Sequence, residues 1–206
     1  MFPLEQAVLP TAVIPLHVFE PRYRALAADV TSHPEPEFGI APIERGREVG
    51  GDDVRADVGV VSRVVQFEEF PDGRWALVSI ATRRIRVLDW LTDDPYPRAM
   101  VEDWPDDDAT SYQSAIEAER RVELTDPIER IRAAVDRLQP QQPAPEVALS
   151  DDPAQATWQA AVFAQLNSFD AMSLLRTPDA VSRLAAASEL IRDRAEVLEA
   201  LADERG

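Results

Sequence analysis

The chain reads Pro15-Leu16-His17-Val18-Phe19-Glu20-Pro21-Arg22-Tyr23-Arg24 over one short stretch, and this stretch decides the fold. Leu16, Val18 and Phe19 are side chains typical of strands. Pro21 follows them, and proline has the fixed φ that suits the first position of a helix. The stretch therefore predicts a strand that turns into a helix at Glu20.

The composition indicates an acidic globular protein. The chain has 206 residues, of which 45% are hydrophobic, and this is enough for one large domain or two small ones. Acidic residues number 38 against 21 basic ones, so the net charge is −17. Because an acidic surface repels phosphate groups, we expect no nucleic-acid partner and no anionic membrane as a partner.

Two residue types are missing, and their absence excludes several activities. Every basic residue is an arginine, and a P-loop or a serine–lysine peptidase needs a lysine. Cysteine is absent, which excludes disulfides and thiolate metal sites. The first residues form no basic and apolar leader, and no run approaches about 18 apolar residues. A cytoplasmic location is the expectation.

The distribution of glycine predicts two architectures. Six of the seven glycines lie before residue 109, where short β-branched runs alternate with turn signals. Pro71-Asp72-Gly73-Arg74 predicts the turn of a hairpin from Val58 to Ala81, and one helix is predicted over Arg22 to Val30. The predicted strands are Ala7 to Leu9, Val13 to Leu16, Phe38 to Ile43, Val58 to Phe67, Trp75 to Ala81, Ile85 to Trp90 and Arg98 to Trp104.

From Thr110 onward the apolar residues follow a helical period. Asp126-Pro127 and Asp152-Pro153 predict two helix starts, the second helix running to about Leu166. Thr177-Pro178-Asp179 predicts the start of the last helix, whose apolar stripe begins at Val181. We therefore predict a strand domain over residues 1–108 and a helical bundle over residues 109–206.

Seven pieces of the sequence, taken in order, resemble one protein family. They resemble the N-terminal substrate-binding domain of Lon proteases, a family that also occurs as free-standing proteins without the ATPase and peptidase parts. The pieces are Phe2-Pro3-Leu4 with the Pro15 to Tyr23 segment, Phe38-Gly39-Ile40, Glu48-Val49-Gly50-Gly51, Val58-Gly59-Val60, Asp72-Gly73-Arg74, Arg84-Ile85-Arg86-Val87, and Tyr96-Pro97 with Glu102. The motif residues are Pro15, Leu16, Phe19, Glu20, Arg22 and Tyr23.

The resemblance implies a fold and a function. The implied fold is α+β: a PUA-like antiparallel β-barrel with one inserted helix, followed by a C-terminal α-helical bundle. The implied function is non-catalytic binding of unfolded or partner proteins, without ATPase, peptidase or cofactor, as an adaptor in proteolysis.

The candidate polypeptide-binding residues are aromatic or basic side chains near predicted loops, because extended peptides bind through sheet edges and side-chain pockets. They are Phe67, Phe70, Trp75, Tyr96, Arg45 and Arg47. For Trp75, packing in the core is the competing interpretation. A structural ion pair of Glu20 with Arg22 or Arg24, and a packed His17, are predicted at the corner.

No constellation in the sequence indicates catalysis or metal binding. Ser62 and Ser79 lack the Gly-x-Ser-x-Gly turn of a hydrolase. The clusters Asp52-Asp53, Asp93-Asp94 and Asp106-Asp107-Asp108 lack the spacing of a cation loop, and they are predicted to be solvated turns. Two other functions stay open: a PUA-like RNA-binding protein, which the negative charge disfavours, and a small-molecule protein or enzyme with a site in the barrel mouth.

Overall fold

A computed structural model describes residues 1–45, 54–106 and 115–205, without the side chains of residues 115–122. These residues fall into two compact units, Met1–Pro105 and Asp106–Gly206. The domain assignment 1–108 and 109–206 stays a prediction, because its boundary lies outside the described residues.

Over residues 1–45 and 54–105, the first unit is a seven-stranded sheet with one helix, α1 (Pro21–Thr31). Its main path runs β1-β3-β5-β6-β2, while β4 pairs with β3 and β7 pairs with β6. The strands are β1 (Phe2–Leu4), β2 (Val13–Val18), β3 (Glu37–Arg45), β4 (Val54–Arg55), β5 (Val58–Glu69), β6 (Trp75–Leu91) and β7 (Arg98–Asp103).

The predicted corner between strand and helix is confirmed. Glu20 has an extended backbone (φ −67°, ψ 137°) and caps α1, and Pro21 is the first helical residue. The predicted α+β class is also confirmed, with antiparallel pairing throughout the described strands except between β1 and β3, which are parallel.

The strand β6 differs from its prediction. Trp75 to Leu91 form one continuous strand of 17 residues, where two separate strands were predicted. The pairing of β6 with β5 and with β7 contains register shifts. A bulge at such a shift accommodates one extra residue in a strand, so β6 continues through it. The predicted strand over Ala7 to Leu9 is wrong, since these residues form no strand.

A glycine brings two strands unusually close together. A Cβ added at Gly59 in β5 would overlap the carbonyl oxygen of Ile40 in β3. Glycine is therefore required where these strands approach. The core of the unit includes the buried side chains Val18, Leu26, Ile40, Val58, Leu77 and Ile85.

In the described part of the second unit there are four helices: α2 (Ala115–Leu138), α3 (Pro153–Phe163), α4 (Ser168–Arg176) and α5 (Ala180–Arg205). The predicted start at Asp126-Pro127 is wrong, because α2 continues through Pro127. The start at Asp152 is confirmed by its side chain, which accepts a hydrogen bond from the Ala154 N–H at 3.0 Å. The helix α4 was not predicted. No described helix combines the length and apolarity needed to cross a bilayer.

The core of the second unit contains a charged residue. Arg183 has no exposed surface and lies among buried leucine, isoleucine and alanine side chains of the helices. Its guanidinium lies 4.2 Å from the centre of the Trp158 ring. It pairs with both carboxylate oxygens of Asp106, at 2.5 and 2.6 Å. The prediction of a solvated turn is therefore wrong for Asp106, whereas Asp107 and Asp108 lie outside the described residues.

Candidate functional site

The turn between β5 and β6 is held by local hydrogen bonds. The Gly73 N–H donates to the Phe70 oxygen at 2.8 Å, and the Phe70 N–H donates to the Arg74 oxygen at 2.9 Å. Gly73 has a φ of +77°, a conformation that favours glycine. Asp72 accepts the Arg74 N–H at 3.1 Å, and this bond lowers the pKa of Asp72 below its ordinary value. The predicted hairpin is confirmed.

The helix α1 contacts this turn through Arg24. A Cβ added at Gly73 would overlap the Arg24 guanidinium, so this side chain packs directly against the turn. The neighbouring Arg22 instead forms the predicted ion pair with Glu20, at 3.2 Å, and lies 4.5 Å from the Tyr23 ring centre. The corner and the hairpin are therefore one packed region.

An open cavity of about 350 Å³ lies between the end of β2 and the hairpin. The register places Val18 opposite Trp75, which brings the two elements side by side. Trp75 is almost buried and packs against Phe67 with ring centres 6.2 Å apart. The residues that line the cavity are His17, Val18, Phe19, Phe70, Arg74 and Trp75.

A second cavity, of about 200 Å³, shares a wall with the first. It lies between the two ends of the sheet path, because residues of both β1 and β2 line it. His17, Val18 and Phe19 line both cavities. We call the side chains Phe19, Phe67, Phe70 and Trp75 the aromatic surface.

The structure separates the six candidate binding residues. Phe70 and Trp75 line the first cavity, and Phe67 packs beside them with half of its surface exposed. Arg45 is exposed at the end of β3 and lines neither cavity. Arg47 lies outside the described residues.

Tyr96 binds helix α1. Its hydroxyl donates to the Asp29 carboxylate at 2.7 Å, which ties the segment before β7 to α1. Burial, together with this bond, raises the pKa of Tyr96. Tyr96 lines neither cavity of the first unit.

Two residues of the opening motif have a different environment from the one predicted. His17 is exposed, so its prediction as a packed residue is wrong. Phe19 has 59% of its surface exposed, an unusual value for a phenylalanine. The alternating burial of β2 places His17 on its outer face, and Phe19 follows directly after the strand. The sequence predicts Phe19 only as a motif residue, because a local apolar pattern does not show which side chains stay uncovered in the fold.

Within the described residues, no group of three or more histidine or acidic side chains is arranged to hold a metal. Ser62 and Ser79 are buried on strands. Asp93 and Asp94 are exposed between β6 and β7, and Arg55 donates to both Asp93 oxygens at 2.9 Å. Asp52 and Asp53 lie outside the described residues.

The helical unit contains a separate open cavity of about 360 Å³. Its walls come from α2, α3, α5 and the segment after α2, and Arg194 is its one titratable lining residue. The Arg194 Nε donates to the Ala164 oxygen at 3.3 Å, at the end of α3. The arginine thus caps a helix, and titratable groups do not converge in this cavity.

Comparison with solved structures defines the class of fold. The chain is similar to a Lon N-terminal domain protein from Xanthomonas campestris, with a TM-score of 0.60 and 27% identity, covering 89% of this chain and 92% of that one. The N-terminal domain of a Mycobacterium avium complex Lon protease has the same fold, with a TM-score of 0.59 and 18% identity, covering 92% of this chain and 95% of that one.

The family follows from the sequence comparisons. The family model of the ATP-dependent protease La (LON) substrate-binding domain matches residues 1–193, and the chain belongs to this family. Over 124 residues, which are 59% of this chain, it is 31% identical to Lon protease 2 of Herpetosiphon aurantiacus. The match covers 15% of the length of that relative. The resemblance read from the opening motif is confirmed.

Proposed function

We propose that this chain is a non-catalytic protein-binding module that holds exposed apolar segments of unfolded or partner polypeptides at the aromatic surface. The observation that carries the proposal is Phe19. This side chain is 59% exposed in the wall between two adjacent cavities. Membership of a family of substrate-binding domains supports the same function.

The physical driving force is burial of apolar surface. Covering a large apolar side chain contributes about 1.5–3 kcal/mol. Phe19 and Phe67 are both at least half exposed, so a bound segment gains by covering them. Two cavities lie beside Phe19, and the side chains of an extended polypeptide bind in pockets of this kind.

The partners of this module are proteins, and its proposed role is in proteolysis. The relatives are described as Lon proteases and Lon N-terminal domains, which supports a role as an adaptor in proteolysis. The net charge of −17 supports protein partners over nucleic acid or anionic membrane. We propose that the module works in the cytoplasm and without a cofactor.

The test measures binding of a labelled, chemically denatured reporter protein by fluorescence anisotropy. We expect the wild-type chain to bind the denatured reporter and not its folded form, without ATPase or peptidase turnover. Phe19→Ala and Phe70→Ala are each expected to weaken binding by about tenfold, since about 1.4 kcal/mol corresponds to that factor. Trp75 is not suitable for this test, because it is almost buried and its loss would damage the core.

The matched control is Phe169→Ala. Phe169 is the same residue type, is 83% exposed and lies on α4 in the other unit, so its loss should leave affinity unchanged. Equal effects of Phe169→Ala and Phe19→Ala would refute the aromatic surface as the site. Absence of any binding to denatured protein would refute the function itself.

A further inference from the structure

The strand β7 is an unprotected sheet edge. Four described strands have a single neighbour: β1, β2, β4 and β7. Of these, β1 has three residues and β4 has two, while β2 contains Pro15, which lacks an N–H donor. The strand β7 has six residues and no proline. Long edge strands of this kind offer free backbone groups to another chain.

The backbone alternation of β7 shows which groups face outward. The Trp104 N–H donates to the Arg84 oxygen of β6 at 2.9 Å. Backbone groups of an antiparallel strand alternate between its two sides, and the bulge in this pair lies in β6. The N–H and C=O groups of Ala99 and Val101 therefore point away from β6. They are available for hydrogen bonds to another strand.

The side chains of β7 add an apolar centre to this edge. Met100 is 56% exposed and lies opposite Asp89 of β6, while Val101, which is 40% exposed, lies on the other face of the strand. Arg98, Met100 and Glu102 share one face because of the strand period. The face therefore reads positive, apolar, negative along the strand.

We propose that two copies of this chain associate through their β7 strands as an antiparallel pair with Met100 on the twofold axis. A twofold axis perpendicular to a sheet keeps every side chain on its own face, so the residue on the axis lies opposite its own copy. In this register Arg98 lies opposite Glu102 of the second copy. Ala99 lies opposite Val101 of the second copy, and their outward backbone groups form reciprocal hydrogen bonds.

Charge complementarity selects this register over its neighbours. An axis on Val101 would place Met100 opposite Glu102, and an axis on Ala99 would place Arg98 opposite Met100. Only the axis on Met100 gives opposite charges at both ends. A carboxylate oxygen of Glu102 already lies 3.1 Å from a guanidinium nitrogen of Arg86. In the dimer Glu102 would therefore lie between this Arg86 and Arg98 of the second copy. This inference is independent of the proposed polypeptide-binding function.

The first test is the molar mass in solution, measured by light scattering over a range of concentrations. We expect twice the chain mass of 22.9 kDa. Arg98→Glu and Glu102→Arg are each expected to weaken association at least tenfold, because each places like charges opposite one another. Arg192→Glu makes the same charge change on the exposed surface of α5 and should leave the dimer unchanged.

The second test mixes the two variants. In a heterodimer of Arg98→Glu with Glu102→Arg, every contact again joins a carboxylate to a guanidinium, so we expect dimers to return. Met100→Lys provides a further variant that the fold should tolerate, because its cross-strand neighbour is Asp89, and it should abolish association by placing like charges on the axis. A wild-type chain that stays monomeric at millimolar concentration would overturn the proposal, as would a mixture that forms no heterodimer.

Discussion

The two units use arginine in opposite ways. In the helical unit Arg183 is fully buried between Asp106 and the Trp158 ring. In the strand unit Arg83 pairs with Glu37 and Asp103, each at 2.9 Å, while 44% of its side chain stays exposed. The contacts are similar in length, but water screens only the second set. Burial, rather than the number of ion pairs, therefore decides how much each arginine contributes to stability.

The largest expected effect comes from breaking the buried pair. We expect Arg183→Met to reduce the free energy of unfolding by about 3–5 kcal/mol, because Asp106 would lose its buried partner. Urea denaturation followed by circular dichroism measures this loss. In the double variant with Asp106→Leu most of the stability should return, since no unpaired charge remains. A loss below about 1 kcal/mol for Arg183→Met would contradict this view of burial.

An intermediate effect is expected where a partly exposed arginine meets a backbone turn. Gly73→Ala should cost about 1–2 kcal/mol, because its φ of +77° is unfavourable for alanine and the added Cβ meets the Arg24 guanidinium. Combining it with Arg24→Ala removes the steric part and leaves the backbone part. Thermal unfolding of both single variants and the double variant separates the two parts. Strictly additive losses would show that the Arg24 contact contributes nothing.

The smallest effect is expected at the surface pair of Arg55 and Asp93. The hydrogen bond from Arg55 lowers the pKa of Asp93, so this pair stabilises the fold above the ordinary aspartate pKa and loses that contribution as pH falls through the lowered value. We expect Asp93→Asn to cost less than about 1 kcal/mol at neutral pH. The difference from wild type should disappear in urea denaturation at strongly acidic pH. If Asp93→Asn is still less stable than wild type at acidic pH, its effect comes from packing and not from the ion pair.

Local signals account for the parts of the fold that the sequence predicts. Proline and glycine mark the turn at Gly73, and Glu20 and Pro21 mark the start of α1, since backbone conformation at these places depends on the residue itself. Family motifs added the overall α+β class. In the same way, the Asp152 cap identified the start of α3.

Features that depend on distant contacts could not be predicted. The parallel pairing of β1 with β3, and the ion pair of Arg183 with Asp106, join residues far apart in the sequence. Pro127 is a good first helical residue, but its surroundings let α2 continue through it. At the candidate site, the 59% exposure of Phe19 was missed, because a local apolar pattern does not show which side chains stay uncovered in the fold.

The continuous strand β6 has a consequence for valency. Its 17 residues extend over roughly 50 Å of contour. Trp75 of the aromatic surface lies at one end of β6, and the residues that pair with β7 lie at the other end. Pairing of two copies at the far end would leave both aromatic surfaces open. One extended client with two apolar segments would then be held twice by the same assembly, so its retention would rise through avidity without any stronger individual contact.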